Sequence, residues 1–409
     1  MTSEGWLLLL GLLLVAGALV HHPLLFVFAA TGLLVGLVSW IWRRYCFYGV
    51  RYQRGLSQKR AFFGEEIFLT LEIVNRKPLP LPWLEIEDEV PDRLTYPNAR
   101  LAASFKPKRR TLVHLCSPRW YERVRRRYKI VCTQRGIHEF GPATLRAGDL
   151  FGMAIERRDE PELDRLIVYP KIVPLERLGL PVNGPFGDLV KPRALWEDPT
   201  YVAGVRAYQP GDPPRRVNWK ASARFAHLQT KLLEPTTHPR LALFLDMQTL
   251  AGHAWWAGYD PFLVELAILV ATSIVAWAAE NKLPAGLYVN GHRFREGPSR
   301  IALPPSEHPD QLRAILEALA AVVPIATVPL DEVVLAEAAG LSWGTTLLAI
   351  SAIADRDLVA SLHALRRAGW STGLVLVRSR ASIVPPDGIP VFRISGEESW
   401  REIASVALG

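Results

Sequence analysis

The residues best suited to chemistry lie between Gly204 and Glu234, where a tight turn precedes a cluster of cations around a tryptophan. The turn reads Tyr208-Gln209-Pro210-Gly211-Asp212, and proline, glycine and aspartate are residues that tight turns favour. Basic side chains follow on either side of Trp219, at Arg215, Arg216, Lys220 and Arg224. Such cations could bind a carboxylate on a partner protein or an anionic substrate.

The same stretch also has a purely structural interpretation, a capped turn that leads into a sheet with a solvated basic face. Asp212 suits a helix N-cap, with Pro213 at the first helical position. We expect Asp212 to cap a short helix over Pro213–Trp219 or to pair with Arg215, and Trp219 to be buried against the sheet. Leu228–Glu234 alternates like an edge strand, and Leu241–Asp246 is apolar enough for a buried strand.

Other nucleophile or metal arrangements are sparse. His114 and Cys116 are two residues apart and so share one face of a strand, where a packed thiol is more common than a reactive one. Ser222 lies near Lys220 without a pattern typical of acyl transfer. The three cysteines, of which the others are Cys46 and Cys132, form no CxxC pair. This spacing argues against a disulfide scaffold or a structural zinc site and suits a reducing compartment.

Two motifs carry a resemblance to a known family, the bacterial domain of unknown function 58. The first motif comprises Arg206, Tyr208, Pro210, Gly211, Asp212, Arg215, Asn218, Trp219, Lys220 and Arg224. The second comprises Arg135, Gly136, Gly141, Pro142, Gly148, Asp149, Phe151 and Gly152, with Leu150 where the family usually has proline. The resemblance implies a membrane-anchored, von Willebrand A-like protein associated with MoxR-type AAA+ ATPases. It implies no established activity.

The resemblance also directs attention to Asp246, which follows the predicted buried strand. Ligands of open α/β sheets collect at the carboxyl ends of strands. A von Willebrand A fold usually carries Asp-x-Ser-x-Ser there, which supplies hard oxygen ligands to Mg²⁺ or Mn²⁺. This chain has Gln248 and Leu250 at the two serine positions. We therefore expect a degenerate metal site in which Asp246 is a polar anchor, and no cofactor. The absence of Walker A, GxGxxG and HExxH patterns means that an ATPase partner would supply its own nucleotide site.

The N-terminal region favours a membrane anchor. Apolar runs over Trp6–Val20 and Leu24–Trp42 are separated by His21-His22-Pro23, and the whole chain is 49% hydrophobic with mean hydropathy +0.11. A cleaved signal peptide is the alternative for the first run, but such a peptide would begin with basic residues. Directly after the second run come cations with no acid among them: Arg43, Arg44, Arg51, Arg54, Lys59 and Arg60. The positive-inside tendency then places both termini and the bulk of the chain in the cytoplasm.

The remainder of the chain predicts two further domains. Short alternating runs such as Ile67–Asn75 and Trp83–Val90 indicate an all-β domain of the immunoglobulin-like sandwich type. After about residue 200, apolar strands alternate with helices, which indicates an α/β domain with a mostly parallel sheet. The apolar helix predicted over Phe262–Ala279 contains Glu265, so we expect it to be buried in that domain rather than to cross a membrane. A last helix is predicted near Glu397–Ala407.

The predicted organisation is a transmembrane hairpin (1–45), a basic juxtamembrane linker (46–60), a β-sandwich (61–170), a Pro/Gly-rich linker (171–200) and a von Willebrand A-like domain (201–409). A further basic run, Arg119–Lys129, contains Trp120 and Tyr121. A solvated strand face that touches anionic lipid is favoured over nucleic-acid binding, because no nucleic-acid fold signature accompanies the run.

Two classes of function follow from these observations. The first is a membrane-anchored interaction or adaptor protein, a client or partner of a MoxR-type AAA+ ATPase in envelope-related assembly or maturation, at the plasma or inner membrane. The alternative is an enzyme or accessory subunit that acts on an anionic envelope component. The net charge of +8 fits an anionic neighbour under either hypothesis.

Overall fold

The structure, a computed structural model, contains both helices and strands in two compact units, Met1–Tyr169 and Pro170–Gly409. It describes residues 3–149, 151, 155–180, 197–209, 212, 214, 217–235, 239–250, 258–294, 300–353, 355–377 and 388–394. Each unit is described below by itself.

Two apolar helices open the first unit, α1 (Ser3–Leu19) and α2 (Pro23–Tyr45). The imidazole of His22 caps α2 by accepting a hydrogen bond from the Leu25 N–H at 3.4 Å. The two helices pack closely at Gly17, where an added Cβ would lie 3.0 Å from the Phe26 nitrogen. By length and composition α2 is able to cross a membrane, and its most apolar window is only 11% buried.

Eleven strands follow among the described residues of the first unit and form three sheets, in the orders β1-β3-β7, β10-β9-β4-β6-β5 and β2-β11-β8. Their bounds are β1 Val50–Leu56, β2 Arg60–Phe62, β3 Glu66–Asn75, β4 Trp83–Pro91, β5 Leu101–Ala103, β6 Arg109–Cys116, β7 Arg123–Val131, β8 Gly136–Phe140, β9 Ala143–Gly148, β10 Ile155–Glu160 and β11 Asp164–Tyr169. All pairs are antiparallel except β2 with β11. Alternate residues of β3 and β4 are buried, as the period-two pattern of the sequence predicts.

The end of α2 packs into the core of these sheets. Trp42 and Cys46 are buried in one cluster with Ile73 of β3, Leu84 of β4 and Leu145 of β9. Only four residues separate the end of α2 at Tyr45 from the start of β1 at Val50. The segment 46–60, predicted as a juxtamembrane linker, therefore consists mainly of a paired strand and the short connection that precedes it.

A six-stranded path forms the centre of the second unit, in the order β16-β15-β14-β18-β19-β20. Its strands are β14 Arg240–Leu245, β15 Ala285–Arg293, β16 Arg300–Ser306, β18 Thr345–Ser351, β19 Ser371–Val377 and β20 Val391–Ile394, and β17 Val322–Ala326 pairs with β15 off this path. Pairing along the path is parallel except between β15 and β16. The chain continues from β14 to β15 on one side and later to β18 on the other, which makes the β14–β18 boundary the topological switch point of the sheet.

Helices cover this sheet, whose central strands are buried on both faces. The covering helices are α4 Pro261–Glu280, α5 Gln311–Ala321, α6 Leu330–Ala338 and α7 Arg356–Arg367, whereas the short helix α3 Trp219–Phe225 lies beside the separate strand β13. Side chains of α6 and α7 pack with Ala242, Phe244 and Leu347 of the sheet in one apolar cluster, and α4 contacts the four central strands. The most apolar window of α4 is 72% buried, so this helix is a core helix as predicted.

A separate antiparallel pair, β12 (Glu197–Ala207) and β13 (Gln229–Pro235), flanks α3 along the chain. The start of the segment predicted as a Pro/Gly-rich linker is packed: Val173, Leu175 and Leu178 are buried, and the Val173 N–H donates to the Ser273 hydroxyl at 3.0 Å. The patterns of the sequence did not predict β16, β17 or α6. The helix predicted near Glu397–Ala407 lies outside the described residues.

Candidate functional site

Asp212 is the centre of the first motif. Its Oδ1 accepts a hydrogen bond from Arg206 Nη2 at 2.6 Å, and its Oδ2 accepts from the Gln209 N–H at 3.0 Å and from the Thr230 hydroxyl at 3.1 Å. The Tyr208 hydroxyl donates to the Asp212 carbonyl at 3.2 Å. The Gln209 N–H, followed by Arg206 and Thr230, lowers the pKa of the Asp212 carboxyl. The carboxylate therefore joins β12, the turn after it and β13.

Asn218, and not Asp212, caps the helix of this motif. The Asn218 side-chain oxygen accepts the Ala221 N–H at 3.2 Å, and α3 begins at Trp219 rather than at Pro213. Asn218 is itself fixed to β13, because its N–H donates to the Gln229 carbonyl at 2.8 Å. Among the described residues, the Asp212 carboxylate is bound to the strands and Asn218 caps α3, whereas the helix predicted over Pro213–Trp219 includes residues outside those that the structure describes.

The Ser222 hydroxyl also serves the structure of this segment. It donates to the Asn218 carbonyl at 2.8 Å and accepts the Gln229 N–H at 2.9 Å. These two bonds tie α3 to β13 and are a structural use of a hydroxyl that lies two residues from Lys220.

Trp219 is exposed, which corrects the expectation that it is buried against the sheet. Its exposed fraction is 71%, and none of the side chains of α3 is buried. Lys220, Arg224 and Phe225 are likewise exposed. The remaining motif positions Pro210, Gly211 and Arg215 lie outside the described residues. The structure thus brings Arg206, Tyr208 and Asp212 together and leaves the aromatic and basic side chains of α3 open to solvent.

The glycines of the second motif allow close packing in the first unit. Gly141 has φ +93°, and a Cβ there would overlap the Glu162 carbonyl and the Arg54 guanidinium. The Arg54 guanidinium is itself held by Asp88 at 2.6 Å and Asp164 at 2.8 Å. Gly136 has φ +144°, which L side chains rarely adopt. Pro142 follows Gly141 through a cis peptide bond. These positions of the motif have structural reasons for their residue types.

Asp149 of the second motif contacts helix α2. Its Oδ2 accepts a hydrogen bond from the Ser39 hydroxyl, and both residues are buried. The preceding residue, Gly148, lies against the Trp83 indole, which a Cβ would overlap. Phe151 is 49% exposed, Arg135 is buried, and Gly152 lies outside the described residues. Nothing in the sequence pointed to Ser39, because a lone serine in an apolar helix is common.

Asp246 lies at the topological switch point, and both of its carboxylate oxygens accept hydrogen bonds. Its Oδ1 accepts from Asn290 Nδ2 at 2.8 Å and from the Gln248 N–H at 2.9 Å, and its Oδ2 accepts from the Ser351 hydroxyl at 2.8 Å. Burial raises the pKa of this carboxyl to about 6, although the three hydrogen bonds oppose the shift. Asn290 lies within β15 and Ser351 ends β18, the two strands beside β14. The switch-point rule would have drawn attention to them if the pairing of these strands had been known from the sequence.

The remaining titratable candidates are packed. The Tyr128 hydroxyl lies 3.2 Å from His114 Nδ1, and burial lowers the pKa of this imidazole. Burial raises the pKa of the neighbouring Cys116 thiol to about 11, which disfavours the thiolate that a nucleophile needs. Within the described part of the chain, no group of three or more His, Cys, Asp or Glu residues could hold a metal ion.

The chain is similar to proteins whose activity is unknown. The family model described as "Protein of unknown function DUF58" matches residues 204–388, which include the first motif but not the second. The "Uncharacterized protein YeaD" of Bacillus subtilis (strain 168) is 30% identical over 297 residues, which are 69% of this chain and 68% of the relative.

Likenesses to solved structures are weak. The CARDB domain of the PF1109 protein from Pyrococcus furiosus is 9% identical with a TM-score of 0.21, over 30% of this chain and 90% of that one. A cohesin module of a Clostridium perfringens family 33 glycoside hydrolase is 13% identical with a TM-score of 0.20, over 29% of this chain and 95% of that one. Such scores support no conclusion about this chain. The match of the family model and the extent of the similarity to YeaD show that the chain belongs to the DUF58 family of proteins of unknown function.

Proposed function

We propose that this chain is a membrane-anchored interaction protein whose exposed helix α3 binds a MoxR-type AAA+ ATPase in envelope-related assembly or maturation. In this proposal α1 and α2 are a two-pass anchor with both units in the cytoplasm. The first unit is an immunoglobulin-like sandwich, and the second is a von Willebrand A-like domain whose metal site has been replaced by the Asp246 hydrogen-bond network.

One observation carries the proposal: the first motif presents a tryptophan that is 71% exposed on a helix with no buried side chain. A large exposed aromatic beside Lys220 and Arg224 has the composition of an interface hot spot, since Trp and Arg are enriched where binding energy is concentrated. The Asn218 N–H and the Ser222 hydroxyl bond to Gln229 and hold α3 on β13, which the Asp212 carboxylate joins to β12. The motif therefore combines a hydrogen-bonded strand pair with a helix, α3, whose exposed side chains are apolar and basic.

The test is capture of the ATPase by the full-length protein in detergent, in the presence of ATP or ADP. Trp219→Ala should leave the melting temperature near that of the parent, because the ring is exposed, and should weaken capture by about 30-fold or more if it is a hot spot. Arg224→Glu should change the free energy of unfolding by no more than about 0.5 kcal/mol and should also weaken capture through like-charge contact.

Matched controls come from the same unit. Trp343, which is 57% exposed, and Arg356, which is exposed at the start of α7, lie outside the motif. Trp343→Ala and Arg356→Glu should retain capture. If Trp219→Ala and Arg224→Glu fold normally and still bind the ATPase like the parent, α3 is not the binding surface and the proposal fails.

A further inference from the structure

At one end of the sheets of the first unit, the connections between strands lie close to the end of α2. In the sheet of β1, β3 and β7, Val50 pairs with Asn75, and Val74 pairs with Arg123. In the neighbouring sheet, Leu84 pairs with Cys116, while Gly148 pairs with both Trp83 and Ile155. Three connections therefore leave the sheets at the same end, 46–49, 76–82 and 117–122, and the described residues Asp149, Phe151 and Ile155 follow or precede strand ends at this end as well. We call this end of the unit the helix-proximal end.

Lys77 ties two of these connections to α2. Its buried ammonium donates to the Tyr45 carbonyl at 2.7 Å and to the Cys46 carbonyl, at the end of the helix. The Lys77 carbonyl in turn accepts the Tyr121 N–H at 3.3 Å. On the other side, Asp149 accepts from Ser39 and Glu156 pairs with Arg43 at 3.2 Å. The helix-proximal end is thus fixed to the last two turns of α2.

This end exposes several large aromatic and aliphatic side chains. Tyr48 is 74% exposed, Trp120 68%, Tyr121 69%, Phe151 49% and Ile155 65%. These five large apolar side chains are more than half of those exposed among the described residues 46–169, and the opposite end presents Phe105. Exposed cations accompany them at Arg51, Arg76, Arg119 and Arg123.

This composition matches a membrane–water interface. Tyr and Trp concentrate at the headgroup level because their rings are apolar and their tips polar, and Arg binds lipid phosphate. The 23 residues of α2 span about 34 Å at 1.5 Å per residue, slightly more than a hydrocarbon core of about 30 Å. Ser39 lies six residues before the end of α2, so Asp149 reaches about 9 Å back along the helix. A membrane crossed by α2 would therefore meet the helix-proximal end.

We propose that the helix-proximal end is a lipid-binding surface, on which Trp120, Tyr121, Phe151 and Ile155 enter the headgroup layer and the neighbouring arginines bind anionic phospholipid headgroups. The proposal rests on the membrane anchoring by α2 proposed above. It goes further because a helix anchor alone requires no contact between the sheets and the lipid.

The experiment uses the full-length protein in nanodiscs, with the half-buried Cys116 replaced by serine. A bimane fluorophore is attached at Tyr121→Cys or, as the matched control, at Phe105→Cys. Phe105 is also exposed but precedes β6, whose eight residues place it roughly 23 Å farther from the end of α2. Nitroxide-labelled lipids should quench the fluorophore at position 121 and not at position 105.

A second comparison tests the anionic preference. Nitroxide-labelled phosphatidylglycerol should quench position 121 more strongly than nitroxide-labelled phosphatidylcholine at the same mole fraction. The excess should disappear in Arg76→Glu/Arg119→Glu, because each arginine near a lipid surface contributes about fivefold in affinity for anionic lipid. The matched double variant Lys108→Glu/Arg110→Glu, at the opposite end, should retain it.

The outcomes are distinct. If carbonate extracts the protein from native membranes, α2 is not an anchor, and both the proposed function and this surface are wrong. If the protein is retained but position 121 is quenched no more than position 105, only the lipid-binding surface is wrong. Equal quenching by the two labelled lipids contradicts the binding of anionic headgroups.

Discussion

At the scale of single residues, Asp246 is a buried carboxyl that links neighbouring strands of the central sheet. The carboxyl is 4% exposed and has three hydrogen-bond donors from Gln248, Asn290 and Ser351. Burial still raises its pKa to about 6 because water is excluded from the charged form. Asp246 therefore links β14, β15 and β18, and its contribution to the free energy of unfolding depends on pH.

Replacement of this carboxyl should remove a pH-dependent term from the free energy of unfolding. The unfolded pKa is near 3.9 and the folded pKa about 6, so the folded protein retains a proton that the unfolded chain releases between these values. Stability due to this group is fully present below about pH 4 and is lost as pH rises to about 6, by on the order of 3 kcal/mol. Asp246→Asn should lose that dependence in thermal melts at pH 4.5 and 7.

Ser351→Ala provides a contrasting variant. Its hydroxyl bond lowers the pKa of Asp246, so the variant should shift the loss of stability to higher pH. Asp88, whose pKa burial also raises to about 6, is unchanged in all three proteins and cancels in the comparison. Identical pH dependence in the parent and Asp246→Asn would mean that folding does not raise the pKa of Asp246.

At the scale of elements, the second motif positions strands rather than reacting groups. The backbone of β9 passes so close to Trp83 at the start of β4 that only glycine fits at position 148. We expect Gly148→Ala to lower the free energy of unfolding by about 1–3 kcal/mol through overpacking. Thermal melts of the full-length protein in detergent measure the effect.

A strand glycine of the same unit serves as the control. Gly55 in β1 has open space where a Cβ would lie, so Gly55→Ala should melt at or above the temperature of the parent. A Gly148→Ala protein that melts like the parent would show that Trp83 moves aside at little cost.

The pattern of apolar residues was enough to predict four elements: β3 and β4 alternate and bury one face, whereas β14 and the helix α4 are nearly continuous apolar runs that are buried almost throughout. The position of Trp219 could not be predicted in this way. An aromatic beside cations is equally compatible with a core anchor and with an exposed surface, and only the Asn218 cap and the pairing of β12 with β13 decide where it points. Likewise, the contact of Ser39 with Asp149 joins residues 110 positions apart, a separation at which local patterns carry no information.

At the scale of the whole molecule, the proposed topology is open to direct measurement. We expect Ser57→Cys, an exposed position just after β1, to react with an impermeant thiol reagent only after cells are permeabilised. The physical reason is the excess of arginine and lysine after α2. In intact cells His21→Cys, between the two helices, should react with the same reagent. Both variants also carry Cys116→Ser, which removes the partly exposed native thiol. Cys46 and Cys132 are buried and need no replacement.

The opposite labelling pattern would reverse the proposed orientation. Reaction at Ser57→Cys in intact cells, together with protection of His21→Cys, would place the first unit outside. Protection of both positions until permeabilisation would instead indicate that α1 and α2 do not cross as a hairpin.

The short connection between α2 and β1 has a mechanical consequence. Four residues join the helix to the strand, and Lys77 and Arg158 brace that junction by donating to the Tyr45 and Cys46 carbonyls and to the Phe47 and Val50 carbonyls, respectively. A spanning helix longer than the local bilayer is thick responds by tilting. If α2 spans the membrane as proposed, the short and hydrogen-bonded junction would transmit such a tilt to the sheets, so that their orientation relative to the membrane would depend on bilayer thickness.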